Sequence, residues 1–236
     1  MMLKNQCINN KIENYVVLDE KLKVGYLPVP KAACTSMLNA FFSLKETVEQ
    51  QRRLKRVEEK RKHTKVRKHN AVHVYQNIMF DRVVKKSKTT GYFVFSCVRH
   101  PVSRFLSFYK NKVYFGWDKG IADKLTSLGF YHKMSVDECI ENLCSVQDPA
   151  ALDAHVMPMS ALLYYKGKLI PDYIMRVETL NNDWSYLMGL LGKSTVEVTI
   201  HNLSPKDSSS DFDLTQSQKN KLTEYYKDDM QLFGYR

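Results

Sequence analysis

The stretch from Lys23 to Leu38 constrains the fold more than any other, because it joins a strand, a tight loop and a helix start. Its first half is apolar and β-prone, and Pro30 lies where a strand stops donating hydrogen bonds. Its second half opens an amphipathic helical run. The stretch therefore predicts a strand that delivers a short loop to the N-terminus of a helix.

This loop contains the residue types that bind a phosphate or a sulfate. Lys31 supplies a positive charge, and Ala32 and Ala33 let a ligand approach the backbone. Thr35 and Ser36 add hydroxyls beside the N–H groups of a helix N-terminus. The glycine spacing of an ATP-binding P-loop is absent. An ordinary capped helix start contains the same residues, so this segment alone leaves both interpretations open.

A second segment, Phe93 to Tyr109, repeats the design. A buried strand ends at Arg99 and Pro101, and the helix that follows carries Arg104 and Ser107. Two anion-binding strand ends fit one extended ligand with two phosphate groups. Arg104 either joins Arg99 and Ser107 at the anion or pairs with a carboxylate, and the pattern does not decide between these roles.

Both segments resemble the donor-binding motifs of sulfotransferases that use 3′-phosphoadenosine 5′-phosphosulfate (PAPS), above all the carbohydrate sulfotransferases. Pro30 to Ser36 is similar to their 5′-phosphosulfate loop, and Val98 to Ser107 is similar to their 3′-phosphate site. Leu222 to Tyr235 resembles the terminal helix of bacterial-type members. The resemblance implies PAPS as the donor. The donor-binding residues that it implies are Lys31, Ala32, Ala33, Cys34, Thr35, Ser36, Arg99, Arg104 and Ser107.

Strands alternate with helices along the chain, which predicts an α/β fold. We expect a three-layer sandwich, with a mostly parallel central sheet, helices on both faces and a P-loop-like phosphosulfate-binding loop at the carboxyl ends of strands. The length of 236 residues and the 44% hydrophobic content predict one domain, residues 1–236. Within it, the basic helical segment 45–68 and an excursion over residues 116–150 are predicted insertions.

Local patterns predict several elements. Tyr15 to Leu18 and Leu22 to Val29 form an opening hairpin. Apolar residues near helical spacing predict a helix from Ala71 to Val84. Gly116 to Gly129 is predicted to be a surface excursion, and Ser135 to Glu138 has the pattern of a capping box.

Cysteine usage and hydropathy suggest a compartment. Five cysteines, without a Cys-x-x-Cys pair or histidines at zinc spacing, predict reduced thiols and no metal. No apolar stretch has the length of a membrane span or of a signal peptide. We therefore expect a soluble, cytoplasmic protein. Since animal members of the family are membrane-anchored in the Golgi, the resemblance implies a bacterial enzyme or a shortened chain. The oligomeric state is not indicated.

Positive charge is concentrated between Lys45 and Lys68, where 11 Lys and Arg stand against four Glu, within a total of +11. Such an excess predicts a polyanionic partner, although a solvated helix face is the alternative. The segment from Gln50 to Lys68 has no aromatic residue for base stacking, which argues against nucleic acid. The charge is compatible with peripheral association with an anionic membrane. The candidates to bind an anionic acceptor share one helical stripe and are Arg52, Lys55, Arg56 and Lys60.

Sulfuryl transfer depends on positioning and charge neutralisation, because an acceptor hydroxyl attacks sulfur in line while adenosine bisphosphate leaves. Lys31 is the candidate to stabilise the developing charge. His69 is the first candidate for the general base, since it ends a predicted short strand, Thr64 to His69, and the resemblance implies a catalytic histidine or carboxylate at this place in the order. His155 is the second, because its segment resembles one near the family's acceptor.

The expected function is transfer of a sulfuryl group from PAPS to a hydroxyl of a carbohydrate, with an anionic glycan favoured by the basic segment. Two alternatives come from other classes of protein. A P-loop-like nucleotide-binding kinase needs a Gly-rich loop and a magnesium carboxylate, and neither is recognisable. A basic nucleic-acid-binding module would bind strands in a salt-sensitive manner without affinity for adenosine 3′,5′-bisphosphate.

Overall fold

The structure is a computed structural model, and it describes residues 15–19, 22–43, 72–76, 91–116, 119–165, 167–193, 198 and 212–236. In chain order the strands are β1 (Tyr15–Asp19), β2 (Val24–Leu27), β3 (Val72–Gln76), β4 (Phe93–Val98), β5 (Tyr164–Tyr165), β6 (Lys168–Leu169) and β7 (Tyr173–Arg176). The α-helices are α1 (Cys34–Ser43), α2 (Pro101–Phe108), α3 (Lys119–Ser127), α4 (Val136–Ser145), α5 (Met159–Leu163), α6 (Leu180–Leu190), α7 (Gln216–Tyr225) and α8 (Lys227–Leu232). A π-helix (Tyr109–Tyr114) continues α2, and 3₁₀ turns lie at Pro149–Ala151 and Val177–Thr179.

Five strands form one sheet in the order β3-β1-β2-β4-β7. β2 pairs in parallel with β4, and β4 pairs in parallel with β7. β1 is antiparallel to both β2 and β3, so four of the five strands share one direction. The prediction of an α/β fold with a mostly parallel sheet is confirmed. Because β2 and β4 are parallel neighbours, the loops that follow them leave the same edge of the sheet.

The predicted opening hairpin is confirmed. β1 and β2 pair in the register Val17↔Tyr26. The turn is closed by Asp19, whose Oδ1 accepts a hydrogen bond from the N–H of Leu22 at 3.0 Å. An aspartate at the start of a turn commonly makes this kind of bond, which explains why β1 ends at Asp19.

Strand β4, near the middle of the sheet, is buried on both faces. In β4, Val94 and Phe95 belong to two separate apolar clusters, as neighbouring residues of a strand must when each face packs against something. The Val94 side also contains Phe108 of α2, and the Phe95 side contains Phe41 of α1 and Trp184 of α6. This burial on both faces explains the almost unbroken apolar run of β4.

The prediction of a helix from Ala71 to Val84 is wrong for the part that the structure describes. Residues 72–76 form β3, which pairs with β1 from Tyr15↔Gln76 to Asp19↔Val72. Val72 and Val74 are β-branched and alternate along the strand, so the local sequence also suits an extended backbone. Hydrogen bonding to β1 outweighs the approximate helical spacing.

The predicted surface excursion is also wrong in part. Residues 119–127 form α3, and Leu125 is completely buried in the larger apolar cluster together with Phe130. Leu125 in the helix and Leu128 just after it both pack in this cluster, so apolar contacts hold α3 on the core. The capping box at the start of α4 is confirmed, since Ser135 and Glu138 exchange side-chain and backbone hydrogen bonds.

The single domain over residues 1–236 and its insertions stay predictions. The basic segment 45–68 lies outside the described residues. Within the residues that the structure does describe, no helix combines the length and the apolar character that crossing a membrane requires.

Candidate functional site

The loop after β2 has an unusual backbone. Lys31 (φ 67°) and Ala33 (φ 53°) are both left-handed, a conformation that residues other than glycine seldom adopt. The N–H of Ala32 donates to the carbonyl of Val29 at 3.2 Å, and α1 begins at Cys34. Backbone strain of this kind accumulates where a loop must hold a ligand.

The predicted donor residues of this loop line the start of α1. Ala32 and Ser36 are buried, Ala33 and Cys34 are half-buried, and Thr35 is exposed. Since the first N–H groups of a helix have no acceptor within the helix, the backbone here can donate to an anion. The residues that sequence reasoning grouped together are therefore together in space, around one turn of backbone.

The ammonium of Lys31 lies in a strongly positive environment. Its Nζ donates to Oδ1 of Asn111, on the π-helix, at 2.5 Å. Burial lowers the pKa of Lys31 to about 8, and the nearby charges of Lys112 and Arg99 act in the same direction. Neighbouring cations that depress the pKa of a lysine also attract an anion between them.

Arg99 connects the two predicted anion loops directly. Its Nη1 donates to the backbone carbonyl of Lys31 at 3.4 Å. Burial lowers the pKa of Arg99 while the charge of Glu178 opposes that shift, and an arginine remains charged in either case. Ser107 lies half-buried on α2. The structure thus brings Lys31 and Arg99 to one surface.

Glu178 connects the loop after β4 to Tyr235. Its Oε1 accepts from the N–H of His100 at 2.8 Å, and its Oε2 accepts from the hydroxyl of Tyr235 at 3.1 Å. The rings of His100 and Tyr235 meet edge to face at 5.3 Å. Burial and Glu178 raise the pKa of Tyr235, so its hydroxyl stays protonated and donates. These contacts fix the backbone just after Arg99.

Arg104 lies beneath the loops, with 1% of its surface exposed. Its Nε donates to the carbonyl of Pro30 at 2.9 Å, its Nη1 to that of Met157 at 2.6 Å, and its Nη2 to that of Ala154 at 2.7 Å. These partners are neither an anion nor a carboxylate, the two roles that the pattern left open. The guanidinium instead joins the Lys31 loop to the segment that carries His155.

His155 forms a pair with Asp153. Its Nδ1 lies 2.6 Å from Asp153 Oδ1, and its backbone N–H donates to the same oxygen at 2.9 Å. Burial opposes ionisation of Asp153, but the hydrogen bonds and charge of His155 hold the pKa of that carboxyl below its ordinary value. An ionised aspartate at Nδ1 orients the ring and leaves Nε2 for a proton from a substrate.

The remaining predicted site residues lie outside the described residues, and they are His69, Arg52, Lys55, Arg56 and Lys60. Sequence reasoning missed Asn111 and Asp153. The spacing of Asp153 and His155 was an available signal. Asn111 had none, because a π-helix brings it to Lys31, and the bond from the N–H of Phe115 to the carbonyl of Lys110 at 2.9 Å departs from the ordinary helical period.

The described ranges contain no group of three or more His, Cys, Asp or Glu side chains arranged to hold a metal ion. Comparisons with curated proteins and with solved structures gave no significant match. A model of the Sulfotransferase family matches residues 14–236, which include both predicted anion loops, the Asp153–His155 pair and the two final helices. Because this match spans nearly the whole chain, the protein belongs to the sulfotransferase family.

Proposed function

We propose that the protein transfers a sulfuryl group from PAPS to a hydroxyl of a carbohydrate, and that the acceptor is an anionic glycan. The contact between the two loops, Arg99 Nη1 to the Lys31 carbonyl at 3.4 Å, carries the donor assignment. Lys31 and Arg99 follow two adjacent parallel strands, and two such cations can bind a nucleotide that carries anionic groups at both the 5′ and the 3′ position of its ribose. A three-layer sandwich with a P-loop-like donor loop is part of this proposal.

Each donor group has a place in this arrangement. The N–H groups at the start of α1 hold the 5′-phosphate, with Thr35 and Ser36 beside them, and Arg99 and Ser107 hold the 3′-phosphate. Lys31 neutralises the charge that develops on the sulfuryl and bridging oxygens in the transition state. Arg104 supports the donor loop from below through the Pro30 carbonyl.

The hydrogen bond between Asp153 and His155 supports His155 as the general base, which this proposal prefers to His69, the first candidate from the sequence. The acceptor oxygen forms its bond to sulfur while the bond from sulfur to the bridging oxygen of adenosine 3′,5′-bisphosphate breaks. The hydroxyl proton goes to Nε2 of His155, and Asp153 stabilises the imidazolium that results.

The donor assignment is tested with Arg99→Ala. Calorimetry should show affinity for adenosine 3′,5′-bisphosphate falling by about 10- to 100-fold, the value of a charge-assisted hydrogen bond to a phosphate. Affinity for adenosine 5′-phosphate should change little, because that ligand lacks the 3′-phosphate. Lys168→Ala removes an exposed cation from the separate β5–β6 hairpin and serves as the control. Equal affinity of the wild-type protein for both nucleotides would show that the assignment of the 3′-phosphate site is wrong.

The base is tested by comparing His155→Ala with His69→Ala. We expect His155→Ala to lower kcat by about 10²- to 10⁴-fold, the usual contribution of general base catalysis, and to leave adenosine 3′,5′-bisphosphate binding intact. The acidic limb of the pH–rate profile should disappear, because a base acts only when it is unprotonated. If His69→Ala shows these effects and His155→Ala does not, the ranking from the sequence was right.

The acceptor is tested through the basic segment. Arg52, Lys55 and Arg56 are replaced together with Glu, and the Michaelis constant is measured with the glycan that supports turnover in a panel of anionic and neutral glycans. The constant should rise at low salt and return toward the wild-type value at high salt, because exposed ion pairs are individually weak and screened. Donor affinity is the internal control. An unchanged constant at low salt would mean that the acceptor need not be acidic.

A further inference from the structure

The segment from residue 153 to residue 160, here called the base loop, carries His155 and leads into α5. Loops usually satisfy their backbone with water or with their own turns. In the base loop, the N–H groups of Val156 and Met157 donate to the carbonyl of Asp153, and buried side chains from α2, α8 and the junction of α7 with α8 bind further backbone groups. Three of these side chains are Arg104, Tyr226 and Asp229, each with 1% of its surface exposed.

Tyr226 lies where α7 ends and α8 begins, and its hydroxyl donates to the carbonyl of Val156 at 2.6 Å. The preceding residue, Tyr225, packs edge to face against it with ring centroids 4.8 Å apart. The hydroxyl of Tyr225 is also buried, but it has no hydrogen-bond partner among the described residues. Two adjacent tyrosines therefore differ in whether the hydroxyl reaches the base loop.

Asp229 holds the other end of the base loop. Its two carboxylate oxygens accept from the N–H groups of Met159 and Ser160, each at 2.7 Å. Burial raises the pKa of Asp229, and those hydrogen bonds together with the charge of Arg104 oppose the shift. The carboxylate thus accepts hydrogen bonds from two N–H groups at the start of α5. The first N–H groups of a helix have no acceptor within the helix.

Arg104 completes the arrangement, because its guanidinium binds the carbonyls of Ala154 and Met157 and also that of Pro30 in the donor loop. The base loop is thereby held at five backbone groups and is joined to the donor loop through one rigid planar side chain. Catalytic groups that must meet a reacting atom tolerate displacements of only about 0.5 Å, and such precision depends on the supporting residues.

We propose that Tyr226 and Asp229 are positioning residues for His155. They hold the base loop, relative to the donor loop, where Nε2 of His155 meets the acceptor hydroxyl. This inference rests on the proposed function, in which His155 is the base. Neither side chain contacts the acceptor, so each acts only through the backbone of the base loop.

The test compares Tyr226→Phe with Tyr225→Phe in the full chain. The first variant removes a hydroxyl that binds the base loop, and the second removes a buried hydroxyl without a described partner. Amide hydrogen exchange over residues 154–160 should become about 10-fold faster in Tyr226→Phe, the factor expected for a lost hydrogen bond of ordinary strength, and should stay unchanged in Tyr225→Phe. This measurement needs no acceptor. Unchanged exchange in Tyr226→Phe would overturn the inference.

Kinetics separate positioning from mere stability. With PAPS and the glycan that supports wild-type turnover, Tyr226→Phe should lower kcat by about 10-fold and leave the Michaelis constant for PAPS unchanged. In a His155→Ala background, Tyr226→Phe should cause no further loss, because a residue that acts through His155 has nothing left to position. A loss that persists in that background, or an equal loss in Tyr225→Phe, would refute the positioning role.

A second pair of variants covers the case in which Tyr226→Phe does not fold. Asp229→Asn keeps one acceptor oxygen and loses the other, and Asp228→Asn is its control on the adjacent, less buried residue. The same exchange and turnover pattern is expected. If His155→Ala alone retains full turnover, the base assignment of the proposed function fails and the positioning role fails with it, while faster exchange would still show that the side chains hold the loop.

Discussion

Replacing Lys31 with alanine is expected to lower kcat by about 10²- to 10³-fold, as removal of one charge-stabilising donor from an active site typically does. The loss should fall on turnover far more than on affinity for adenosine 3′,5′-bisphosphate. In the proposed mechanism the ammonium acts on charge that develops as the sulfuryl group moves, whereas the backbone N–H groups of α1 and Arg99 also hold the bound product. Product release assays and calorimetry measure the two effects separately.

The lowered pKa of Lys31 adds a pH dependence to this prediction. Because the pKa is about 8, the ammonium is present below pH 8 and is lost as the pH rises through that value. Since Lys31 acts mainly on turnover, kcat/KM for PAPS should therefore fall above pH 8, and the bound anion should raise the pKa in the complex. Lys31→Arg cannot titrate in this range and is the matched control. A kcat/KM for PAPS that is flat across pH 8 in the wild-type protein would contradict the environment described for Lys31.

The second large effect is expected for Arg104→Met, which keeps an unbranched apolar stem and removes the donors of the guanidinium. We expect the free energy of unfolding, measured by urea denaturation, to fall by about 3–5 kcal/mol. The carbonyls of Pro30, Ala154 and Met157 would lose this donor. Burial lowers the pKa of Arg104, and Asp229 counters that shift, so the carboxylate would also lose a neighbouring cation.

Arg104→Lys should recover only a minor part of this loss, because one ammonium cannot reproduce a planar fork that spans three carbonyls. The control is Arg99→Ala, which removes one long contact and should cost less than about 1 kcal/mol of unfolding free energy. If Arg104→Met kept wild-type stability but lost affinity for adenosine 3′,5′-bisphosphate, Arg104 would be the anion ligand that the motif first suggested.

The parts of the fold that were predicted depend on local patterns. The β1–β2 hairpin, strand β4 and the capping box of α4 each follow from a few neighbouring residues. The meeting of Lys31 and Arg99 was also predictable, since parallel strands deliver their loops to one edge of a sheet. What the sequence could not provide was β3, because its extended form depends on pairing with a distant strand, β1, rather than on its own spacing.

The candidate site was predictable for residues such as Lys31 and Arg99, whose charge itself suggests anion binding. It was not predictable for residues whose role depends on how deeply the fold buries them. Tyr225 and Tyr226 are identical in type and adjacent, and so are Asp228 and Asp229. The break between α7 and α8 determines which member of each pair faces the base loop. Neither the composition nor the helical periodicity of the sequence predicts the position of that break. The same holds for Arg104. Its sequence pattern suggests an anion ligand, and only the structure shows that its guanidinium is buried beneath the loop.

The left-handed backbone at Lys31 and Ala33 has a consequence for directed evolution. Each such residue that is not glycine stores about 1–3 kcal/mol, and the surrounding contacts keep the loop in that form. A library screened for thermal stability alone would therefore tend to accept glycine in this loop, since glycine relaxes the strain. At Lys31 a glycine would relax the strain but would also remove the ammonium. Selection for a higher melting temperature alone would therefore act against the proposed catalytic lysine, at the position where the strain is stored.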